Sequence, residues 1–452
     1  MKTLETPNVV ISGMGAVTPI GNLSIDDGSY WQALLGGRTN FKPFQFGDPV
    51  PHKITAKVAS EIDGFDFSPY AARIPAINQR KFRPTRENMD RATQLGLAAG
   101  LEALTMAGLA PGDPTIRRDN IGMIVGSGLG GGRSFEGGVR SFDALGRTKR
   151  IAFTVLNVML NGLPGMGTIS FGLGGPSYSV AAACASSSFA IIDAYTIVAS
   201  GEADAMLVIG TEAVTTAFQL GCFNQLEALS ESEGSHTSKP FGLKRDGFVM
   251  GEGAGAIVIT REDFARSHNM PVIARLLGYA RNSDAWHTVQ PSVDGITECI
   301  QKAIEHAGLY PHDIGCVNAH ATATPTGDDK EALAIWRMFA DPSLPYVTPL
   351  QSPYITATKA NLGHTLGAAS ILGTIATIRS MTEGLLPPIR GFRIDPKCRR
   401  PWLEAGITAK KDNPLAIVTR KTRANIPVAI CSAFGFGGHN AVTVVARPDF
   451  QP

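Results

Sequence analysis

Residues 178–190, YSVAAACASSSFA, and residues 354–370, YITATKANLGHTLGAAS, follow one plan. Each begins as a short extended run, passes through small residues and continues as a helix. An internal duplication would bring two equivalent helix starts to one centre and let a site be assembled from both halves. Working outward, short β-branched runs alternate with longer alanine-rich stretches, the pattern of a layered α/β protein. Val9-Val10-Ile11 reads as a strand ending at Gly13-Met14-Gly15. Residues 91–107 read as a helix with Leu95, Leu97, Ala98, Leu101 and Leu104 on its apolar face. Residues 121–125 form a buried strand running into the glycine loop 126–132, and residues 203–209 and 255–259 supply further strands. Residues 298–308 and then 314–319 repeat the helix-then-strand order of 92–108 and 121–125. Residues 428–438 end in a glycine turn, as residues 9–15 do. The polar stretch 261–270 marks a boundary, giving halves 1–270 and 271–452.

The bulk numbers exclude several classes. At 452 residues, with 44% hydrophobic and 18% charged, the chain can bury a large core, and disorder is excluded. A formal net charge of +2 excludes a nucleic-acid binder working by bulk phosphate attraction. The sequence shows no apolar run near the ~20 residues that span a bilayer, and residues 1–5 lack a secretory leader. The expectation is a cytoplasmic protein with neither nucleic-acid nor membrane partner. Six cysteines lie at 184, 222, 299, 316, 398 and 431, none in a Cys-x-x-Cys pair. Zinc-ribbon and thioredoxin readings therefore fail, no metal is expected, and a cysteine that matters should do so as a thiol.

Cys184 stands where an extended run turns into a helix. Helix-start amides and the positive end of the helix dipole favour a thiolate there, and small neighbours leave the sulfur reachable. Taken alone, such a cysteine also fits an inert packed position. Asn318-Ala319-His320-Ala321-Thr322-Ala323-Thr324-Pro325 follows a strand, and in an extended loop Thr322 and Thr324 point the same way. Lys359-Ala360-Asn361-Leu362-Gly363-His364 lies at the second echoed helix start. A thiol, two imidazoles and a lysine on turns after strands suit one chemistry. Loss of carbon dioxide from a malonyl thioester leaves an enolate oxygen that neutral imidazole N–H groups stabilise, and an acylated thiol nearby supplies the electrophile.

The loop Gly126-Ser127-Gly128-Leu129-Gly130-Gly131 matches the dinucleotide pattern G-x-G-x-x-G after a strand, which argues for a nicotinamide oxidoreductase. Residues 132–138 lack the small, apolar helix that should receive the pyrophosphate, and tight turns under a packed core are preferred.

The segments around Cys184, His320, residues 359–364 and Phe434-Gly435-Phe436-Gly437-Gly438 resemble those of β-ketoacyl-[acyl carrier protein] synthases of the type II elongating class. The similarity runs nearly end to end and includes Val10 to Gly15, Lys244-Arg245-Asp246-Gly247-Phe248 and Asn282-Ser283-Asp284-Ala285-Trp286-His287. The resemblance implies a thiolase-like, five-layer αβαβα fold of two duplicated halves, the first carrying the cysteine and the second both histidines. It implies that Cys184 takes an acyl chain from acyl carrier protein and that His320 and His364 bind the malonyl thioester and promote decarboxylation. Amides of Cys184 and Phe436 would form the oxyanion hole, with Phe436 as a gate. Thr322 and Thr324 would hold the phosphopantetheine arm, delivered on the carrier, with no cofactor bound to the chain itself. Lys359 would order the histidines through Glu331 and Asp328. The product would be a carrier-bound 3-oxoacyl chain two carbons longer, in fatty-acid or related biosynthesis. The alternative is the catalytic ketosynthase subunit of a type II polyketide or polyene system, paired with a chain-length partner. A homodimer is the usual assembly and a heterodimer the variant, while a non-catalytic partner would leave Cys184 unreactive.

Several positions depart from the family's pattern. Ala321 replaces a glycine after the first histidine, and Gly373 stands where a glutamate faces the lysine. Ser432-Ala433 replaces Asn-Ser, and Glu227 replaces an arginine. Because the carrier is acidic, Arg80, Lys81, Arg83 and Arg86 are the candidate docking patch, though they also fit a solvated basic face.

Overall fold

The computed structural model describes residues 8–44, 54–112, 118–145, 153–343, 352–390, 393–404 and 413–451. In the first part of the chain lie β1 (Val9–Thr18), β2 (Ile121–Gly126), β3 (Ser177–Val180), β4 (Ala205–Glu212) and β5 (Gly253–Arg261). The second part supplies β6 (Ala274–Ser283), β7 (Cys316–Asn318), β8 (Tyr354–Thr356), β9 (Val428–Gly435) and β10 (His439–Ala446). Their spatial order is β8-β7-β9-β10-β6-β1-β5-β4-β2-β3. Counted outward from the centre, each set repeats the order first, fifth, fourth, second, third. Directions repeat as well: β2 is parallel to β3 and β4, β7 is parallel to β8 and β9, and the two inner strands of each set run antiparallel. The sets meet where β1 pairs with β6 through Val10–Arg275 and Ile11–Ala274. The duplication is therefore a property of the sheet topology. It also corrects one sequence echo: by position the 428–435 strand matches β4, not β1.

Helices α1 (Arg91–Met106), α2 (Gly132–Leu145), α3 (Ser186–Ser200) and α4 (Ala217–Gln225) belong to the first half. Helices α5 (Val293–His306), α6 (Pro325–Phe339) and α7 (Ala369–Glu383) belong to the second. Helix α1 covers the outer face of β1, β5 and β4, and α5 covers β6 and β10. Helices α3 and α7 pack against each other between the two sets of strands. Most of the buried apolar residues sort accordingly into three large cores. One, with Leu95, Leu101 and Val258, lies under the first outer layer; one, with Ile300, Ile335 and Val442, lies under the second. The central one joins Ile191, Val208 and Ile257 to Ile371, Ile375 and Val445. Residues 183–200 are apolar enough to resemble a membrane span, but two thirds of that window is buried in this central layer (67%).

One element differs from the sequence expectation. The first strand does not stop at Gly13 and Gly15 but runs through them to Thr18. A β-carbon on Gly13 would stand 2.1 Å from the Ala103 carbonyl oxygen, and one on Gly15 2.2 Å from that of Ala99. These glycines let α1 lie directly on the strand.

Candidate active site

Both central helices begin in the same way. A 3-10 turn, Ala183–Ala185, leads into α3, and another, Leu366–Ala368, leads into α7. Ala183 and Leu366 open these turns with φ of 48° and 42°, a left-handed conformation costly for a residue with a β-carbon. Cys184 occupies the first elbow and Gly367 the second. Ser187 and Ser370 meet at 2.7 Å between the elbows; Ser188 N–H donates to Ser370 Oγ and Ile371 N–H donates to Ser187 Oγ, both at 3.1 Å. The halves differ in what precedes the elbow. Only residues 181 and 182 separate β3 from its turn, whereas residues 357–365 separate β8 from the other. The longer connection carries Lys359 and His364.

It folds back across the first half. His364 N–H donates to the Val249 carbonyl at 2.7 Å, and the ring lies edge-on to Phe248 with centroids 5.0 Å apart. Leu366 N–H donates to His364 Nδ1 at 3.2 Å, so in the neutral ring Nε2 carries the proton. That Nε2 lies 2.9 Å from Cys184 Sγ. His320 arrives at the end of β7, its ring 5.7 Å from that of His364 and 5.6 Å from Phe434. Among the described residues its Nδ1 is buried without a hydrogen-bond partner.

The loop after β7 is held by carboxylates on α6. Glu331 accepts from the amides of His320 and Ala321 at 2.7 Å each, and Asp328 accepts from those of Ala323 (3.1 Å) and Phe241 (2.6 Å). Lys359 Nζ donates to the His320 carbonyl at 2.6 Å. Lys359 thus grips the His320 backbone directly, Glu331 and Asp328 bond amides of the same loop, and the lysine reaches the two carboxylates through its charge and not through a hydrogen bond. Ala321 and Ala323 have φ of 34° and 65°, so the position where the family has glycine takes a left-handed conformation that favours glycine. Gly373 leaves space filled by Asn318, whose Oδ1 is 2.6 Å from where a β-carbon would be. Arg245 reaches the Thr324 carbonyl at 3.2 Å and the Pro325 carbonyl at 2.8 Å, and pairs with Asp329 and Asp395. This anchor gives the Lys244–Phe248 block a structural meaning the sequence did not disclose. Thr322 and Thr324 lie side by side, Oγ1 to Oγ1 at 3.0 Å.

Cys184, both histidines, both threonines and Phe436 line one cavity of about 60 Å³. The amides of Phe436 and of Cys184 itself are directed at the sulfur, and a β-carbon on Gly435 would stand 2.5 Å from the Ala182 carbonyl oxygen, so β9 can approach this closely only as glycine.

The electrostatics depart from expectation at one point. Burial pushes the Cys184 thiol up to about 11, opposed by the Lys359 charge and the Phe436 amide, so the resting sulfur is protonated, not the thiolate that a helix start favours. Burial holds both histidines well below their usual range, with the Lys359 charge acting in the same direction. Burial also draws Lys359 down and Glu331 up.

Sγ and one nitrogen of each histidine lie within 4.8 Å of one another, a set with metal-ligating atoms. The fit is poor. Tetrahedral zinc would hold S and N roughly 3.5 Å apart, given Zn–S near 2.3 Å and Zn–N near 2.0 Å, against 2.9 Å here. The His364 nitrogen facing the sulfur carries a proton.

The docking candidates are less available than their charges imply. Arg83 pairs with Glu87 at 2.8 Å and Arg86 donates to Asn78 Oδ1 at 2.6 Å, while Arg80 is exposed. The side chain of Lys81 lies outside the described residues.

Sequence reasoning missed Glu212 at the end of β4. Wholly buried, it accepts from Gly128 N (2.7 Å), Leu129 N (3.2 Å), Gly367 N (3.2 Å) and Ser127 Oγ (3.1 Å). A helix, α2, does follow the G-x-G-x-x-G loop, but with Arg133, Glu136, Arg140 and Asp143 it is not the small, apolar one a dinucleotide site needs. What also argues against a dinucleotide is Glu212, whose carboxylate occupies the loop amides a pyrophosphate would need. It also fills the second elbow, where Gly367 stands in place of the cysteine. The signal was a lone glutamate closing the apolar run 205–212.

A duplicated five-layer α/β fold with a cysteine elbow facing two imidazoles defines a thiolase-like condensing enzyme. Residues 6–265 match the family described as "Beta-ketoacyl synthase, N-terminal domain", and residues 273–393 match "Beta-ketoacyl synthase, C-terminal domain". The chain belongs to the β-ketoacyl synthase family. It is 34% identical to 3-oxoacyl-[acyl-carrier-protein] synthase I, chloroplastic, of Arabidopsis thaliana, over 98% of this chain and 87% of that protein. It is 32% identical to 3-oxoacyl-[acyl-carrier-protein] synthase 2 of Synechocystis sp., over 97% and 98%. Among solved structures it resembles a β-ketoacyl synthase from Burkholderia phymatum (TM-score 0.83, 28% identity, 98% and 99% covered) and the ishigamide ketosynthase/chain length factor (TM-score 0.83, 26% identity, 98% and 100% covered).

Proposed function

We propose that this protein is a decarboxylating 3-oxoacyl-[acyl carrier protein] synthase. The observation that carries the reading is the 2.9 Å approach of a protonated His364 Nε2 to Cys184 Sγ, with His320 beside them and two amides aimed at the sulfur. In the first half-reaction the Cys184 sulfur attacks the acyl thioester of a carrier protein. The amides of Cys184 and Phe436 hold the oxyanion, the carrier leaves as its thiol, and the acyl group remains on Cys184. In the second, malonyl-carrier enters past Thr322 and Thr324, which suit the hydrogen-bonding needs of a phosphopantetheine arm. Its thioester oxygen accepts hydrogen bonds from His364 and His320 as carbon dioxide departs. The carbanion attacks the acyl carbonyl, Cys184 leaves as thiolate, and a 3-oxoacyl-carrier two carbons longer results. The chain itself needs no bound cofactor for these steps.

A second reading, catalytic subunit of a type II polyketide or polyene system, is supported by the likeness to the ishigamide ketosynthase/chain length factor. Assembly with a second subunit is supported by β3, which among the described residues pairs on one side only and is half exposed, and by a nearby run of exposed apolar side chains including Phe135, Phe142, Leu156 and Met159.

Intact-mass measurement with acyl-carrier and then malonyl-carrier tests the main reading. An adduct on Cys184 should form with the first and vanish with the second. No adduct with any chain length would remove the enzyme reading.

A further inference from the structure

A cavity of about 600 Å³ lies at the far end of α3, ~20 Å of helix from the Cys184 elbow. Three aromatic side chains stand in its wall: Tyr195 of α3, Tyr279 of β6 and His306 of α5. Ring centroids are 5.2 Å apart for Tyr195 and Tyr279, 4.4 Å for Tyr279 and His306, and 6.1 Å for Tyr195 and His306. The planes are tilted by 42° to 74°, so the rings form a corner and not a stack. Tyr195 is only 8% exposed, yet among the described residues its hydroxyl makes no hydrogen bond and is not sealed from solvent. The surface it keeps faces this cavity. The Tyr279 hydroxyl and the His306 ring nitrogens are likewise without hydrogen bonds among the described residues.

The charges around these rings decide what they suit. Arg275 also reaches the wall, but its guanidinium is occupied by Glu262 Oε2 at 2.7 Å and the Phe450 carbonyl at 3.2 Å. Burial holds His306 below its usual range, so its ring is neutral at neutral pH. Helix α3 ends at Ser200 and α5 at His306, and both residues are in the wall. The cavity therefore sits at two helix C-termini, where the macrodipoles place partial negative charge. An anion would meet helix ends of the wrong sign, and a hydrocarbon would leave the hydroxyls without partners. We propose that this cavity binds a small organic cation of the alkylammonium class, its charge against the tyrosine rings and a hydrogen bond made to the Tyr195 hydroxyl. The site is separate from the cysteine and histidines, and it stands whether or not the condensing reading does.

The test is titration calorimetry on the full-length protein with two probes. One is choline; the other is its neutral isostere, in which a carbon replaces the quaternary nitrogen. The two share shape and hydroxyl and differ in charge. Choline should bind once per chain and about fivefold or more tightly than the isostere, the value of a cation held against an aromatic face. Tyr279→Leu should abolish that preference, with an unchanged urea midpoint marking a folded variant. Tyr195→Phe keeps the ring and removes only the hydroxyl, so it should weaken both probes by about fivefold while preserving the preference. This near-isosteric change keeps the proposal testable if Tyr279→Leu does not fold. Equal binding of choline and its isostere overturns the proposal, as does the absence of saturable binding by choline. Choline binding that both substitutions leave unchanged also overturns it, because the cation would then sit elsewhere. Acetate binding at this cavity in place of choline would make it an anion site and overturn the assignment as well.

Discussion

His364 cannot act as the base that takes the Cys184 proton, because its Nδ1 already accepts from Leu366 N–H and its Nε2 proton faces the sulfur. It is built to donate. That makes it dispensable for holding an acyl group and necessary for holding an enolate oxygen. His364→Ala should therefore still form the Cys184 adduct but release carbon dioxide from malonyl-carrier about 10²–10³-fold more slowly, the usual cost of one lost oxyanion donor. Adduct mass and carbon dioxide release, measured separately, check this; equal losses in both would assign His364 to the first step instead. The donors work only while neutral. Burial and the Lys359 charge both hold the imidazoles below their usual range. Lys359→Met removes the charge, so the histidines take up protons at higher pH as the solution is acidified. The acid limb of the decarboxylation profile should move upward in pH; a limb that stays or moves downward contradicts this account. Cys184, His320 and His364 were legible because thiol and imidazole chemistry narrows their roles. The Lys359 contact was not, since sequence shows which charges exist and not which backbone groups already satisfy them. Glu331 and Asp328 are spoken for by four amides.

At the scale of the elements, the two halves use one design with different contents. The first elbow keeps its amides open around Cys184, while the second gives the Gly367 amide to Glu212. That carboxylate ties the end of β4 to the loop after β2 and to the start of α7, elements from both halves. In Glu212→Gln one oxygen becomes an NH₂ facing two N–H donors or a hydroxyl and an N–H, so buried donors lose their acceptor. The expected loss is about 3 kcal/mol, measured by urea denaturation. The loss should depend on pH. Burial raises the Glu212 carboxyl to about 7 from a model-peptide value of 4.5. The native state thus holds this proton where the unfolded chain has released it, and wild-type stability from this group falls as pH rises from about 4.5 to about 7. Glutamine has no such dependence, so the penalty should shrink between pH 5 and pH 7.5; a penalty that grows would mean the four donors outweigh burial. The elements themselves were largely readable from periodicity. Gly13 and Gly15 were misread as a turn because a glycine in an apolar run can mean either a bend or a close approach, and only the position of α1 decides.

Across the whole molecule, the halves do not stand as neighbours with a thin interface. Their central helices share one layer, and the core there draws on Ile191, Val208 and Ile257 from one side and Ile371, Ile375 and Val445 from the other. The Ser187–Ser370 contact and its two amide bonds cross the same plane, so the elbow that positions Cys184 is fixed in part by the half that supplies both histidines. Neither half can bury its inner face alone. Domains that each own a core unfold separately, whereas units that share one unfold together. Chemical denaturation should therefore show a single transition, coincident by tryptophan fluorescence and far-UV circular dichroism. A chain cut to residues 1–270 should not reach a native-like state, because it exposes the inner side of α3 to water. Two resolved transitions, or a monomeric 1–270 fragment with a cooperative melt, would show that each half holds itself together. The catalytic geometry would then depend on how two independent bodies dock, not on the single layer that places thiol and imidazoles side by side.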